Sequence, residues 1–92
     1  MALTGKQKKE LKARAHHLKP VVRIGQKGVT EAVVKETDLA LDAHGLIKVH
    51  IQQGDRPTRD ASAQALAERT GAECVHQIGK TFVLYREPSK NA

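Results

Sequence analysis

Residues 21–31 read Val21-Val22-Arg23-Ile24-Gly25-Gln26-Lys27-Gly28-Val29-Thr30-Glu31, and the fold turns on how this stretch is read. Val21 to Ile24 is a short β-branched run that predicts a strand. Two glycines three apart tolerate positive φ and a close backbone approach, so Gly25 to Gly28 predicts a turn. Thr30 is suited to cap a helix with Glu31 in its first turn. Val29, Val33, Val34, Thr37, Ala40 and Leu41 mark the apolar face of that helix, which runs to about His44 before Gly45 stops it. Strand, turn and helix in this order open a β-α-β unit.

Working outward, Thr4 with Gln7 three residues later forms a capping box. The helix it opens is expected to reach about Leu18, with Leu11, Ala15 and Leu18 as a narrow apolar stripe, and Pro20 terminates it. Downstream, Leu46 to Ile51 alternates, placing Ile47, Val49 and Ile51 on one face and Lys48 and His50 on the other. Gln52 to Arg56 is a polar loop, and Pro57 fits the first turn of a third helix. Ala61, Ala63, Ala65, Leu66 and Ala67 suit that helix to close packing on a sheet, and Gly71 ends it. Cys74 to Ile78 and Thr81 to Arg86 are strands joined by a Gly79-Lys80 turn. The order, a helix followed by β-α-β-α-β-β, predicts an α/β fold of the two-layer α+β type with a four-stranded mixed sheet. A chain of 92 residues fits one domain, expected over residues 1–87, with 88–92 as a flexible tail.

Leu, Ile, Val and Phe together make 21 of the 92 residues, just above the level at which a charged chain stays disordered. No apolar run approaches the roughly 18–20 residues of a membrane span, and the opening residues lack a signal peptide's apolar stretch. The lone Cys74 excludes an internal disulfide and fits a reducing compartment. These features predict a soluble, cytoplasmic protein without a membrane partner. The net charge of +6 is uneven. Residues 1–28 hold eight basic side chains against the single acid Glu10, a net +7, whereas residues 29–70 carry −2 and residues 71–92 carry +1. Such a one-sided basic excess suits a polyanion, because Lys and Arg displace the counterions condensed on nucleic-acid phosphates.

The residues with the strongest chemical signal are Gly25, Gln26, Lys27 and Gly28, between a strand and the helix that Thr30 caps. A helix start directs free N–H groups and a positive dipole end at the turn, which favours a phosphate, and Lys27 adds a point charge. The loop that clamps nucleotide backbone in KH domains works on the same terms. It is not a P-loop, lacking Gly-Lys-Ser/Thr, nor a dinucleotide fingerprint, lacking the third glycine. Lys6, Lys9, Lys12, Lys19 and Arg23 are the basic side chains expected beside it. The histidines show no metal-ligand spacing, so no metal or cofactor is expected. Cys74 beside a histidine would make a nucleophile pair, but a small side chain on a strand is more often core. Phe82 and Tyr85 fall on opposite faces of one strand, so successive bases have no shared platform to stack on. A nucleic acid would therefore be held by its phosphates and shape, as structured or duplex RNA. A basic face that meets an acidic protein is the alternative reading.

Ala15-His16-His17-Leu18-Lys19-Pro20, Ile24 to Thr30, Leu46-Ile47-Lys48-Val49, Gln77-Ile78-Gly79-Lys80 and Leu84-Tyr85-Arg86 together resemble the signature blocks of the CRM domain, named for chloroplast RNA splicing and ribosome maturation. The likeness is strongest to its stand-alone bacterial YhbY-like members and runs from about Leu3 to Arg86. The resemblance implies a fold similar to the C-terminal domain of translation initiation factor three. It further implies a monomer without catalysis that binds RNA through Gly25 to Gly28 and the adjoining basic residues, in association with precursors of the large ribosomal subunit. Members often carry Lys directly after the first glycine; here Gln26 stands there and Lys27 follows, which shifts the charge by one position.

Overall fold

The computed structural model describes residues 4–25, 27–52 and 54–87. The Thr4 capping box forms as read: Thr4 Oγ1 accepts from the Gln7 N–H at 3.1 Å, and Gln7 Oε1 accepts from the Thr4 N–H at 2.9 Å. Helix α1 (Gly5–Ala15) nevertheless stops three residues short of the expected Leu18. The His16 and Leu18 amides fall back to three-residue spacing, donating to the Ala13 and Ala15 carbonyls at 3.3 and 2.9 Å. Such bonds tighten a last turn, and Lys19, preceding a proline, is biased to extended backbone. The apolar stripe is therefore Leu11 and Ala15 alone, and Leu18 is 37% exposed.

Strand β1 (Pro20–Ile24) leads through the glycine turn into α2 (Glu31–His44), and β2 (Leu46–Ile51) leads into α3 (Arg56–Thr70). Gly45 takes φ +77° at the α2 end, and Asp55 caps α3 by accepting from the Thr58 N–H at 3.0 Å. β3 (Glu73–Ile78) and β4 (Thr81–Tyr85) close the chain as a hairpin. The sheet order is β1-β2-β4-β3, with β1 and β2 parallel and both β4 pairings antiparallel. β4 thus slips between β2 and β3, so the second crossover joins strands that are not neighbours. The proposed tail, 88–92, lies outside the described residues.

Side-chain alternation divides the sheet into two faces. Val22, Ile24, Ile47, Val49, Ile51, Phe82 and Leu84 pack with Leu41 of α2 and Ala63, Leu66 and Ala67 of α3 as the main core. Leu46 and Val83 point the other way and pack with Leu11 and Ala15 of α1, supported by Val75 and Tyr85. α2 and α3 thus form one layer on the sheet, and α1 covers part of the opposite face. Arg86 fastens the far end: its guanidinium donates to Asp38, to Asp42 at 2.8 Å and to the Thr70 carbonyl at 2.7 Å. Arg86 is thus engaged within the fold, and Tyr85 is half-buried against α1.

Candidate nucleic-acid interface

The glycine turn closes on itself, because the Gly28 N–H donates to the Gly25 carbonyl at 3.1 Å. Gly28 has φ +71°, a conformation that suits glycine. Among the described residues, nothing beyond the chain neighbours lies within 4 Å of where a Cβ would stand on either Gly25 or Gly28. The surface above both glycines is therefore open to a ligand. Gly25 and Lys27 are exposed, and Gly28 is half-buried; Gln26 lies outside the described residues. Thr30 caps α2 as read, its Oγ1 accepting from the Val33 N–H at 3.2 Å. One first-turn amide is thereby taken, and those of Glu31 and Ala32 remain without an acceptor in the helix. The Thr30 hydroxyl keeps a proton to donate.

Two backbone bonds set what stands beside this turn. The Gln52 N–H donates to the Ile24 carbonyl at 3.1 Å, and the Ile51 N–H donates to the Lys80 carbonyl at 2.8 Å. The glycine turn, the β2–α3 connection and the Gly79-Lys80 hairpin turn consequently share one end of the sheet. Arg56 and Arg59 in the first turn of α3, and Lys80 in the hairpin, join Lys27 there. Block-by-block charge counting missed these three, since the arginines belong to the net-acidic middle of the chain. The signal was in the element order: two parallel strands each followed by a helix place both following loops at the strands' carboxyl ends.

The other predicted side chains do not all gather there. Arg23 pairs opposite His50 and points to the same face as Lys48, away from the main core, one residue below the turn. Lys6, Lys9 and Lys12 are exposed on α1, which packs near Leu46 and Tyr85 at the strand ends farthest from the loops. Lys12 lies close enough to His76, on β3, to help hold that imidazole below its usual value, an effect led by partial burial. Lys19 stands at the opposite end of β1, roughly 20 Å of extended chain from Gly25. There it lines a separate hollow with Arg14, Leu18, Val21, His44 and Leu46. The expectation that the basic first third forms one patch beside the glycines is thus corrected: the patch at the turn is assembled from three parts of the chain.

Cys74 packs against the main core, and burial pushes its thiol up. Its nearest polar contact is the His76 carbonyl at 4.0 Å, while the His76 side chain occupies the other face of the sheet. Among the described residues no three His, Cys, Asp or Glu side chains are grouped to hold a metal ion, and no helix is long and apolar enough to cross a membrane.

Among known protein families, the model of the CRS1/YhbY (CRM) domain matches residues 3–86. The chain belongs to the CRM domain family. Its CRM relatives include the Bacillus subtilis "Probable RNA-binding protein YqeI", 40% identical over 97% of this chain and 93% of that protein. A Haemophilus influenzae protein named "RNA-binding protein" is 47% identical over 98% of this chain and 90% of its own length. The solution structure of a Staphylococcus aureus protein is similar throughout, with a TM-score of 0.85 and 40% identity over 99% of this chain and 95% of that one. The CRM fold is therefore shared along essentially its full length.

Proposed function

We propose that this CRM protein binds structured RNA by its phosphates, associates with ribosomal RNA in precursors of the large subunit, and assists their assembly as a cytoplasmic monomer without catalysing a reaction. The observation that carries this reading is the open surface over Gly25 and Gly28, at the start of α2 and beside Lys27, Arg56, Arg59 and Lys80. A phosphate seated on that corner meets backbone N–H groups without a side chain in the way, and the flanking cations neutralise its neighbours. The relatives named as RNA-binding proteins support the polyanion being RNA.

The aromatic side chains argue for a folded rather than an unstacked strand. Phe82 is 3% exposed within the core, and Tyr85 packs against α1. Without an exposed platform of Phe or Tyr rings to receive bases, recognition rests on the backbone and shape of a duplex or folded transcript. Crosslinking the protein to RNA in cells and sequencing the attached fragments tests the assignment. Enrichment of large-subunit rRNA is expected, and nuclease treatment should release the protein from high-molecular-weight fractions. Retention after nuclease, with no enriched rRNA, would favour an acidic protein partner instead.

A further inference from the structure

We propose that the polar hollow between the start of α3 and the β3–β4 hairpin, bounded by Arg56, Arg59, Gln77 and Gly79, is a phosphate pocket that takes a second backbone phosphate of the RNA held at the glycine turn. This rests on the RNA-binding reading above, and deepens it. The hollow has a volume of about 110 Å³, which admits a tetrahedral oxyanion. Two arginines, Arg56 and Arg59, line it, and guanidinium is the side-chain group best matched to phosphate oxygens. Its floor is held in place: Arg59 Nη1 donates to the Gly54 carbonyl at 2.8 Å, and Gln77 Nε2 donates to the Gly79 carbonyl at 3.2 Å.

One donor in this arrangement is unanswered. Arg59 Nε is shielded from solvent and finds no acceptor among the described residues. A shielded donor without an acceptor is costly, and a turn of the Arg59 side chain would bring it to an oxyanion in the hollow. The neighbouring acid, Asp55, is turned to its own helix: it accepts from the Thr58 N–H, and the Thr58 hydroxyl, followed by that N–H, holds its carboxyl below the usual range. No Cβ stands on Gly79 to narrow the mouth, and one built there would meet nothing within 4 Å among the described residues. The glycine turn follows β1 at one edge, whereas the hairpin caps β4 and β3, so the two sites are separated by roughly 10–14 Å of sheet width and engage different phosphates.

The test is binding of a fluorescent RNA hairpin, by anisotropy, between about 50 and 200 mM salt. Arg56→Ala and Arg59→Gln should each weaken binding several-fold, and each should reduce the log–log salt slope by about 0.7–0.9. Thermal melts confirm that the variants fold, and Arg56, exposed on the surface, serves where Arg59 disturbs the loop. In the parent protein the Arg59 Nε–H resonance should shift on adding the hairpin. If both variants keep the parent affinity and slope while Gly25→Asp weakens binding, the pocket assignment is overturned and the glycine-turn reading stands. If Gly25→Asp is also without effect, the proposed function itself fails. An Arg59 resonance that moves with millimolar inorganic phosphate but not with the hairpin would assign the hollow to a free anion and overturn the RNA role.

Discussion

Arg69 Nη2, in the last turn of α3, lies 2.5 Å from Glu31 Oε2 at the first residue of α2. The pair joins the two helices of one layer and neutralises the only acid in the first turn of α2, directly behind the glycine turn. Both side chains are substantially exposed, so the pair adds little to stability. Its consequence is electrostatic, because an unpaired carboxylate there would oppose a phosphate. Glu31→Gln is expected to tighten binding of an RNA hairpin by about two- to fourfold at low salt, and Arg69→Ala to weaken it by a similar factor. Anisotropy titrations at two ionic strengths measure both, and the differences should shrink as salt rises.

Arg86 has the opposite profile. Its guanidinium, with 21% side-chain exposure, ties Asp38 and Asp42 of α2 to the Thr70 carbonyl at the end of α3. Arg86→Ala leaves those groups unanswered and should lower stability by about 1–3 kcal/mol, discounted because both aspartates are half-exposed. For a domain of this size that is a fall of roughly 4–20 °C in Tm. RNA affinity at a temperature where the variant is folded should stay within about twofold of the parent, since Arg86 lies away from the loops.

His76 sets a pH dependence. Partial burial, and then the charge of Lys12, hold its imidazole below the ordinary 6.5. In the window from that value down to the folded-state value, the unfolded chain binds more protons than the folded one. Its contribution to stability is therefore full above pH 6.5 and is lost as pH falls through the window. The urea midpoint of the parent should drop between about pH 7 and pH 5, and His76→Gln should flatten that part of the curve. Asp55 acts in a separate window, since its lowered carboxyl contributes above 3.8 and is lost only in stronger acid.

Cys74 is expected to be chemically quiet. Burial raises its thiol above the ordinary 9.0, so little thiolate is present near neutrality, and the His76 ring is on the other face of the sheet. Iodoacetamide at pH 7.5 should label the native protein far more slowly than the protein in urea, by about tenfold or more. Rapid native labelling accompanied by loss of a measurable activity would restore the nucleophile reading.

How much of this was readable beforehand follows from which interactions are local. The Thr4 and Thr30 caps, the α2 span and the Gly79-Lys80 turn depend on neighbours within a few residues, and the sequence pattern located them. The early end of α1 follows from Lys19 standing before Pro20, a local signal that the apolar spacing of Leu11, Ala15 and Leu18 does not register. The insertion of β4 between β2 and β3 is a long-range pairing, so neither strand order nor the meeting of Lys27, Arg56, Arg59 and Lys80 could be read from charge blocks. The same reasoning separates Lys19 from Gly25: they are near in sequence, but a strand extends between them.

Gly25 offers the most direct test of the claim that RNA phosphate sits on the glycine corner, because a side chain there meets nothing within 4 Å and its φ is not positive. Gly28→Ala lacks that cleanness, since its φ of +71° adds strain of about 1–2 kcal/mol. The measurement is the affinity of Gly25→Asp for a structured rRNA hairpin, beside the parent, from about 50 to 200 mM salt. The account predicts an unchanged melting temperature, a loss of about tenfold or more in affinity, and a salt slope smaller by about one phosphate. A folded Gly25→Asp protein that binds within about twofold of the parent, with the same salt slope, would contradict it.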